Sequence, residues 1–173
     1  PVKGDLPARI QTMRRGHAHA VILACAGLAR LGMAHVASER LEPDRFIPAP
    51  GQGALGLEFR GDDASVRRLC EALDDPGTRL AVTAERAFMR SLGADRATPA
   101  SACARWNGEH AIHIIGMVAE PDGSRMLRGE LTRTVEELPA AERLGHQLAE
   151  KLRDRGCSLI LESVRSERKK PDG

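Results

Sequence analysis

Residues 78–123 read TRLAVTAERAFMRSLGADRATPASACARWNGEHAIHIIGMVAEPDG, and the change of pattern inside them decides the fold. Leu80, Ala84, Ala87, Phe88 and Leu92 recur at helical spacing and Gly93 follows, so a helix with one buried face is expected there. Beyond Pro99 the period drops to two. Strands are expected at 101–106, 109–117 and 125–132. Asn107-Gly108, a strong short hairpin signal, joins the first pair, and Pro121-Asp122-Gly123 joins the second. Thr134 and Glu137 read as a capping box. The helix they open carries Leu138, Ala141, Leu144, Leu148 and Leu152 inward and stops at Gly156. Residues 157–161 are expected to form a last short strand. Residues 76–173 therefore read as a small α+β domain, a three-stranded sheet with packed helices, able to fold by itself.

Toward the N-terminus the pattern differs. Asp74-Asp75-Pro76-Gly77 is a turn and a domain boundary. Asp62 and Asp63 cap a helix with Val66, Leu69, Cys70 and Leu73 on one face. Residues 46–60, FIPAPGQGALGLEFR, open with a turn of demanding geometry at Pro48, Pro50, Gly51 and Gly53. ALGLEFR then alternates as a strand does. The amides of Gly51-Gln52-Gly53 have the composition of an anion-approaching turn, although short glycine pairs mostly make plain turns. HAVILACAG, residues 19–27, is a continuous apolar run expected to be a buried strand of an α/β sheet. A short helix at 7–16, closed by Gly16, precedes it and a brief helix at 28–33 follows. Alternating helix and buried strand argues for a parallel or mixed sheet in this part.

The chain of 173 residues is 42% hydrophobic and 29% charged, the balance of a soluble globular protein. Aromatic residues make up 2%, with no Tyr, and the net charge is +2, so neither base stacking nor a basic footprint for nucleic acid is expected. No apolar run approaches the roughly 18 residues that span a bilayer, so no membrane partner is expected and the default compartment is cytoplasmic. Four cysteines, Cys25, Cys70, Cys103 and Cys157, form no close pair, which argues against a zinc ribbon and a disulfide framework. His17, His19 and His35 lack a third ligand at a telling spacing, and no metal is expected. Pro1-Val2-Lys3-Gly4 reads like the interior of a longer chain. The basic run 165–170, RSERKK, reads as a solvated tail. Lys3, Arg9, Arg14, Arg15 and Arg30 flank the expected buried strand, at strand ends where α/β sheets bind ligands, and arginine forks suit a polycarboxylate.

Four stretches, KGDLPARI (3–10), AVILACAGLARLGM (20–33), PAPGQGALGLEFR (48–60) and RLAVTAERAFMRSLGA (79–94), together resemble hydroxymethylbilane synthase (porphobilinogen deaminase), in order and along nearly the whole chain. The resemblance implies three segments. Residues 1–47 correspond to the later half of a second α/β lobe of periplasmic-binding-protein type, 48–75 to a segment returning to the first lobe, and 76–173 to the α+β third domain. It also implies a transferase of tetrapyrrole (porphyrin, heme) biosynthesis that condenses four porphobilinogen molecules into the linear hydroxymethylbilane with release of ammonia. The family works on a dipyrromethane cofactor joined by thioether to a cysteine, with arginines holding the acetate and propionate groups. Its catalytic aspartate lies in the first domain, so no catalytic residue is expected in this chain, and a separate chain carrying that domain is an expected partner.

Carried over by motif, Arg9 and Arg30 match arginines of the RGNxxTR and GLxRLG patterns. Lys3 and Asp5 stand where the first pattern has arginine and asparagine. Lys3 keeps the charge without the bidentate fork, and Asp5 adds a negative charge near a carboxylate site. After RSLG the family has Gly-Gly-Cys, whereas this chain reads Gly93-Ala94-Asp95-Arg96-Ala97-Thr98-Pro99. Arg96 thus occupies the position of the attachment cysteine and cannot form the thioether. Cys103, seven residues on and on an expected strand, is the nearest thiol. The resemblance implies an incomplete or divergent synthase; the alternative is a non-catalytic paralogue or binding module that holds a tetrapyrrole or a protein partner.

Overall fold

The computed structural model describes residues 2–95, 97–107 and 110–168, for Glu167 and Arg168 the backbone alone. They fall into two compact units, residues 1–41 and 42–173.

In the first unit, α1 (Leu6–Arg14) and α2 (Cys25–Arg30) are followed by a single 3-10 turn at Ala34–Val36. Gly27 is where the helices meet: a Cβ there would lie 2.6 Å from Leu6 Cδ1. The strand expected at 19–27 is not formed. Residues 19–24 belong to no ladder, and 25–30 coil into α2. A strand needs a paired neighbour to satisfy its backbone, and none of the described residues of this unit offers one. The Ala, Leu and Arg of CAGLAR are good helix formers, so helix wins locally.

The second unit opens with α3 (Ala64–Glu71), capped as expected by Asp63, whose carboxylate accepts the Val66 N–H at 3.0 Å. The alternating stretch 54–60 is not in a ladder, which corrects the strand expected there. α4 (Pro76–Leu92) starts at Asp75, which accepts the Thr78 N–H, and ends at Gly93 in the left-handed conformation (φ 61°). β1 (Ala100–Trp106), β2 (Ala111–Ala119) and β3 (Met126–Thr134) make one antiparallel sheet in that order. α5 (Leu138–Asp154) and α6 (Cys157–Arg168) complete the unit. An α+β fold with a three-stranded sheet is thus present.

Leu80, Ala84, Phe88 and Leu92 of α4, spaced by four, share one core with Ile112, Ile114 and Val118 of β2 and with Leu144, Leu148 and Leu152 of α5. Two glycines dent the sheet to admit the large side chains. Gly116 pairs with Gly129 across β2 and β3. A Cβ on Gly116 would lie 2.7 Å from Phe88 Cζ, and one on Gly129 would lie 3.0 Å from Leu152 Cδ2. With so few aromatics, this close fit of aliphatic side chains supplies the core.

Five further expectations are corrected. The Asn107 hairpin is longer than two residues: Trp106 pairs with Ile112, and the Asn107 N–H donates to Ala111 O at 3.0 Å. Gly108 lies outside the described residues. The Thr134–Glu137 capping box is absent, because Thr134 ends β3 opposite Ala111 and Glu137 is itself the cap residue, without a capping side-chain bond. Leu138 is exposed rather than inward. Residues 157–161 begin a helix, since Cys157, Ile160, Leu161 and Val164 are buried at helical, not alternating, spacing. Arg165 accordingly belongs to α6 rather than to a solvated tail.

At Gly145, α5 crosses α4 so closely that a Cβ would collide with the Ala84 carbonyl oxygen and lie 2.7 Å from Phe88 N. Both neighbours are backbone and cannot turn aside. Gly145→Ala should therefore destabilise the unit by about 2–3 kcal/mol, overriding the roughly 1 kcal/mol that alanine gains in a helix. Gly56→Ala, with open space around it, should be near neutral. Denaturant midpoints of the two variants check this.

Candidate functional site

The basic residues of the first unit are built on α1 and α2. Asp5 caps α1, its carboxylate accepting the Ala8 N–H at 2.8 Å, and Pro7 sits in the first turn. Asparagine and aspartate are equivalent caps, so Asp5 preserves the local structure of the family pattern while changing its charge. Arg9, one turn along, folds back and donates from Nε to Gly4 O at 2.7 Å. That bond closes the Lys3-Gly4-Asp5 turn and leaves the terminal guanidinium nitrogens to other acceptors. Lys3 is exposed, and Arg30 is exposed at the last position of α2. Arg9 and Arg30 each lie three residues past the Leu6–Gly27 contact of their helices. In the same unit Cys25, Leu28, Ala29, Ala34, Ala37 and Arg40 line a hollow of about 220 Å³, with Arg40 its one charged side chain.

The loop that follows α4 lies in the second unit and is closed by its own side chains. Thr98 Oγ1 accepts the Asp95 N–H at 3.0 Å and donates to Asp95 Oδ1 at 2.7 Å, and the Ala97 N–H also donates to Asp95 Oδ1. Arg165 of α6 donates to the Leu92 and Gly93 carbonyls, and Arg153 of α5 donates to Ser91 O. These bonds complete the carbonyl end of α4 with positive charge, the favoured sign there. Arg96 itself lies outside the described residues. A thioether needs a thiolate, and no residue from Gly93 to Pro99 carries a thiol. Cys103 sits half-buried in β1, and burial together with the Glu85 charge pushes its thiol up, away from the reactive form. The loop therefore does not fit a thioether-linked dipyrromethane.

One residue that the sequence reading passed over organises the second unit. Glu85 of α4 is 6% exposed, with one carboxylate oxygen accepting the Gly51 N–H at 2.6 Å and the other the Ala104 N–H at 2.7 Å. The anion met by the Gly51 turn is thus the chain's own carboxylate. Its signal was its place in AVTAERAF, an acid one step from Ala84 on the face that carries Leu80 and Phe88. Burial raises the Glu85 pKa, and the two backbone N–H bonds hold it down in part.

Glu85→Gln leaves one of the two N–H groups facing an amide NH₂ and should cost about 1–3 kcal/mol. The native state holds the Glu85 proton more tightly than the unfolded chain, so the residue's contribution is greatest below the ordinary carboxylate range. It falls as pH rises from there through the raised native value. The stability gap between wild type and Glu85→Gln should therefore narrow from about pH 4 toward neutrality. Denaturation curves across that range test it, and a gap that widens with pH contradicts it.

Two family models match the chain: the dipyrromethane cofactor binding domain of porphobilinogen deaminase over residues 1–68, and the C-terminal domain of porphobilinogen deaminase over residues 79–154. The porphobilinogen deaminase of Roseiflexus castenholzii is 42% identical over 160 residues, 92% of this chain and 51% of that protein. Those of Ralstonia nicotianae and Acidithiobacillus ferrooxidans are each 40% identical, over 95% of this chain and 49% and 52% of their own lengths. The chain spans about half the length of the curated relatives it matches. With the two models in sequence and identity near 40% along almost all of its length, the chain belongs to the porphobilinogen deaminase family.

Proposed function

We propose that the chain is the C-terminal part of a divergent hydroxymethylbilane synthase. It would serve porphyrin biosynthesis by condensing four porphobilinogen molecules into hydroxymethylbilane with release of ammonia. Residues 1–47 are read as the later half of a periplasmic-binding-protein-like lobe, 48–75 as the segment returning to the first lobe, and 76–173 as the third domain. The observation that carries the reading is the run of similarity across 92–95% of the chain to proteins named porphobilinogen deaminase. Among the described residues no helix is long and apolar enough to cross a membrane, which suits a cytoplasmic enzyme.

In this reading Lys3, Arg9 and Arg30 hold the acetate and propionate groups of porphobilinogen and of the growing pyrrole chain. Arg9 is pre-set by its bond to Gly4 O. An arginine fork grips a carboxylate bidentately, and Lys3 offers one point charge where the family pattern has a fork. The carboxylate that would stabilise cationic pyrroles belongs to the family's first domain, supplied within a longer polypeptide or as a separate chain.

One observation favours a second reading, a non-catalytic relative that binds a linear pyrrole or a protein partner: the loop from Gly93 to Pro99 has no thiol. The two readings part in one assay. The Arg96→Cys chain, mixed with the first half of a curated relative as a separate polypeptide, should convert porphobilinogen into product, detected as uroporphyrin. The unmodified chain in the same mixture should be slower by at least the roughly 10²- to 10⁴-fold that one catalytic group contributes. No product from the complete mixture would favour the binding reading. Uroporphyrin from the unmodified chain alone would overturn the assignment of the missing groups.

A further inference from the structure

Gly4 holds a backbone conformation that few other residues adopt. Its φ is 107°, and a Cβ added there would lie 3.1 Å from the Ala8 Cβ. It sits just before Asp5, the cap of α1, and its carbonyl oxygen accepts the Arg9 Nε–H at 2.7 Å. Asp5 spends its own groups on the helix. Its carboxylate accepts the Ala8 N–H at 2.8 Å and its carbonyl the Arg9 N–H at 3.0 Å. Asp5 thus starts the helix, and the Gly4 carbonyl ties the Arg9 side chain to the turn before it. Both partners belong to one turn and the helix it opens, five residues apart, so the arrangement is local.

We infer that Gly4 is the positioning residue of Arg9 and fixes how that arginine meets a ligand carboxylate. The inference rests on the proposed reading of Arg9 as a carboxylate-holding residue. A guanidinium offers a carboxylate two kinds of paired edge: Nη1 with Nη2 at its tip, or Nε with one Nη at its side. With Nε held by Gly4 O, the side edge is taken and the ligand meets the tip. The tether also restricts the side chain before the ligand arrives, so less freedom is lost on binding. A side chain at position 4 would meet both the strained φ and Ala8, and the peptide would turn its carbonyl away from Nε. Lysine at position 9 would lack Nε and offer a point charge with no paired edge.

Nitrogen–proton spectra of the 173-residue chain, titrated with porphobilinogen, test the inference. Wild type should show the Arg9 Nε–H as a slowly exchanging signal, identified by its loss in Arg9→Lys. Gly4→Ala should lose the slow exchange and bind porphobilinogen about tenfold more weakly, the size of one misplaced charge-assisted hydrogen bond. Carbon shifts of α1 should stay helical in that variant, because Asp5 still caps the helix. Arg9→Lys, which leaves the backbone untouched, should weaken binding at least as much. A wild type without the slow Nε–H signal overturns the inference, whatever becomes of the variants. So does a Gly4→Ala chain that keeps the signal, or that loses it and binds as wild type, and the carboxylate reading then stands. An Arg9→Lys chain that binds as wild type, or a wild type that does not bind, overturns that reading and the inference with it.

Discussion

The second unit is organised around a buried carboxylate. Glu85 reaches from α4 to two backbone amides far apart in sequence, Gly51 in its turn and Ala104 on the open edge of β1. An edge strand offers unpaired amides to any passing backbone, and a charged acceptor on that edge blocks pairing while fixing the turn against it. Taking a carboxylate out of water is costly unless its lone pairs are met, and here two N–H groups meet them, one per oxygen. Burial, with the Glu85 charge adding to it, raises the Cys103 thiol, the thiol nearest in sequence to the loop after α4.

Much of residues 76–168 was legible because local signals and tertiary packing agree there. Asp75, Pro76 and Gly93 bound α4, and its four-residue spacing meets a sheet whose strands alternate. Where the structure departs from the local signals, tertiary competition outweighs a single one of them. Asn107-Gly108 marked the turn but not its length, since register follows from which side chains of β2 face the core. Thr134 and Glu137 had the spacing of a capping box, yet Thr134 was already committed to β3. CSLIL looked like a strand only when cut off before Val164, whose burial completes a helical stripe.

Residues 19–27 and 54–60 failed for a different reason. Their composition is that of strands, and a strand is a property of two segments rather than one. Without a partner, residues 19–24 join no ladder and 25–27 coil into α2, while 54–60 stay outside any ladder with Leu55 and Leu57 exposed. Both belong to stretches that resemble the family, whose relatives are about twice as long as this chain.

In the proposed reading Arg9 and Arg30 stand at pattern arginines, Lys3 supplies a charge and Asp5 caps α1. The loop after α4 is held by Gly93, the Asp95–Thr98 bonds and two arginines on the end of α4, and it has no thiol. With no thiol from Gly93 to Pro99, this deaminase-family chain is expected to carry no covalent dipyrromethane. Intact mass after incubation with porphobilinogen, or with preformed hydroxymethylbilane, tests this. The mass should equal that of the polypeptide alone; a gain of two pyrrole units, mapped to Cys103 or to any other thiol, would contradict it.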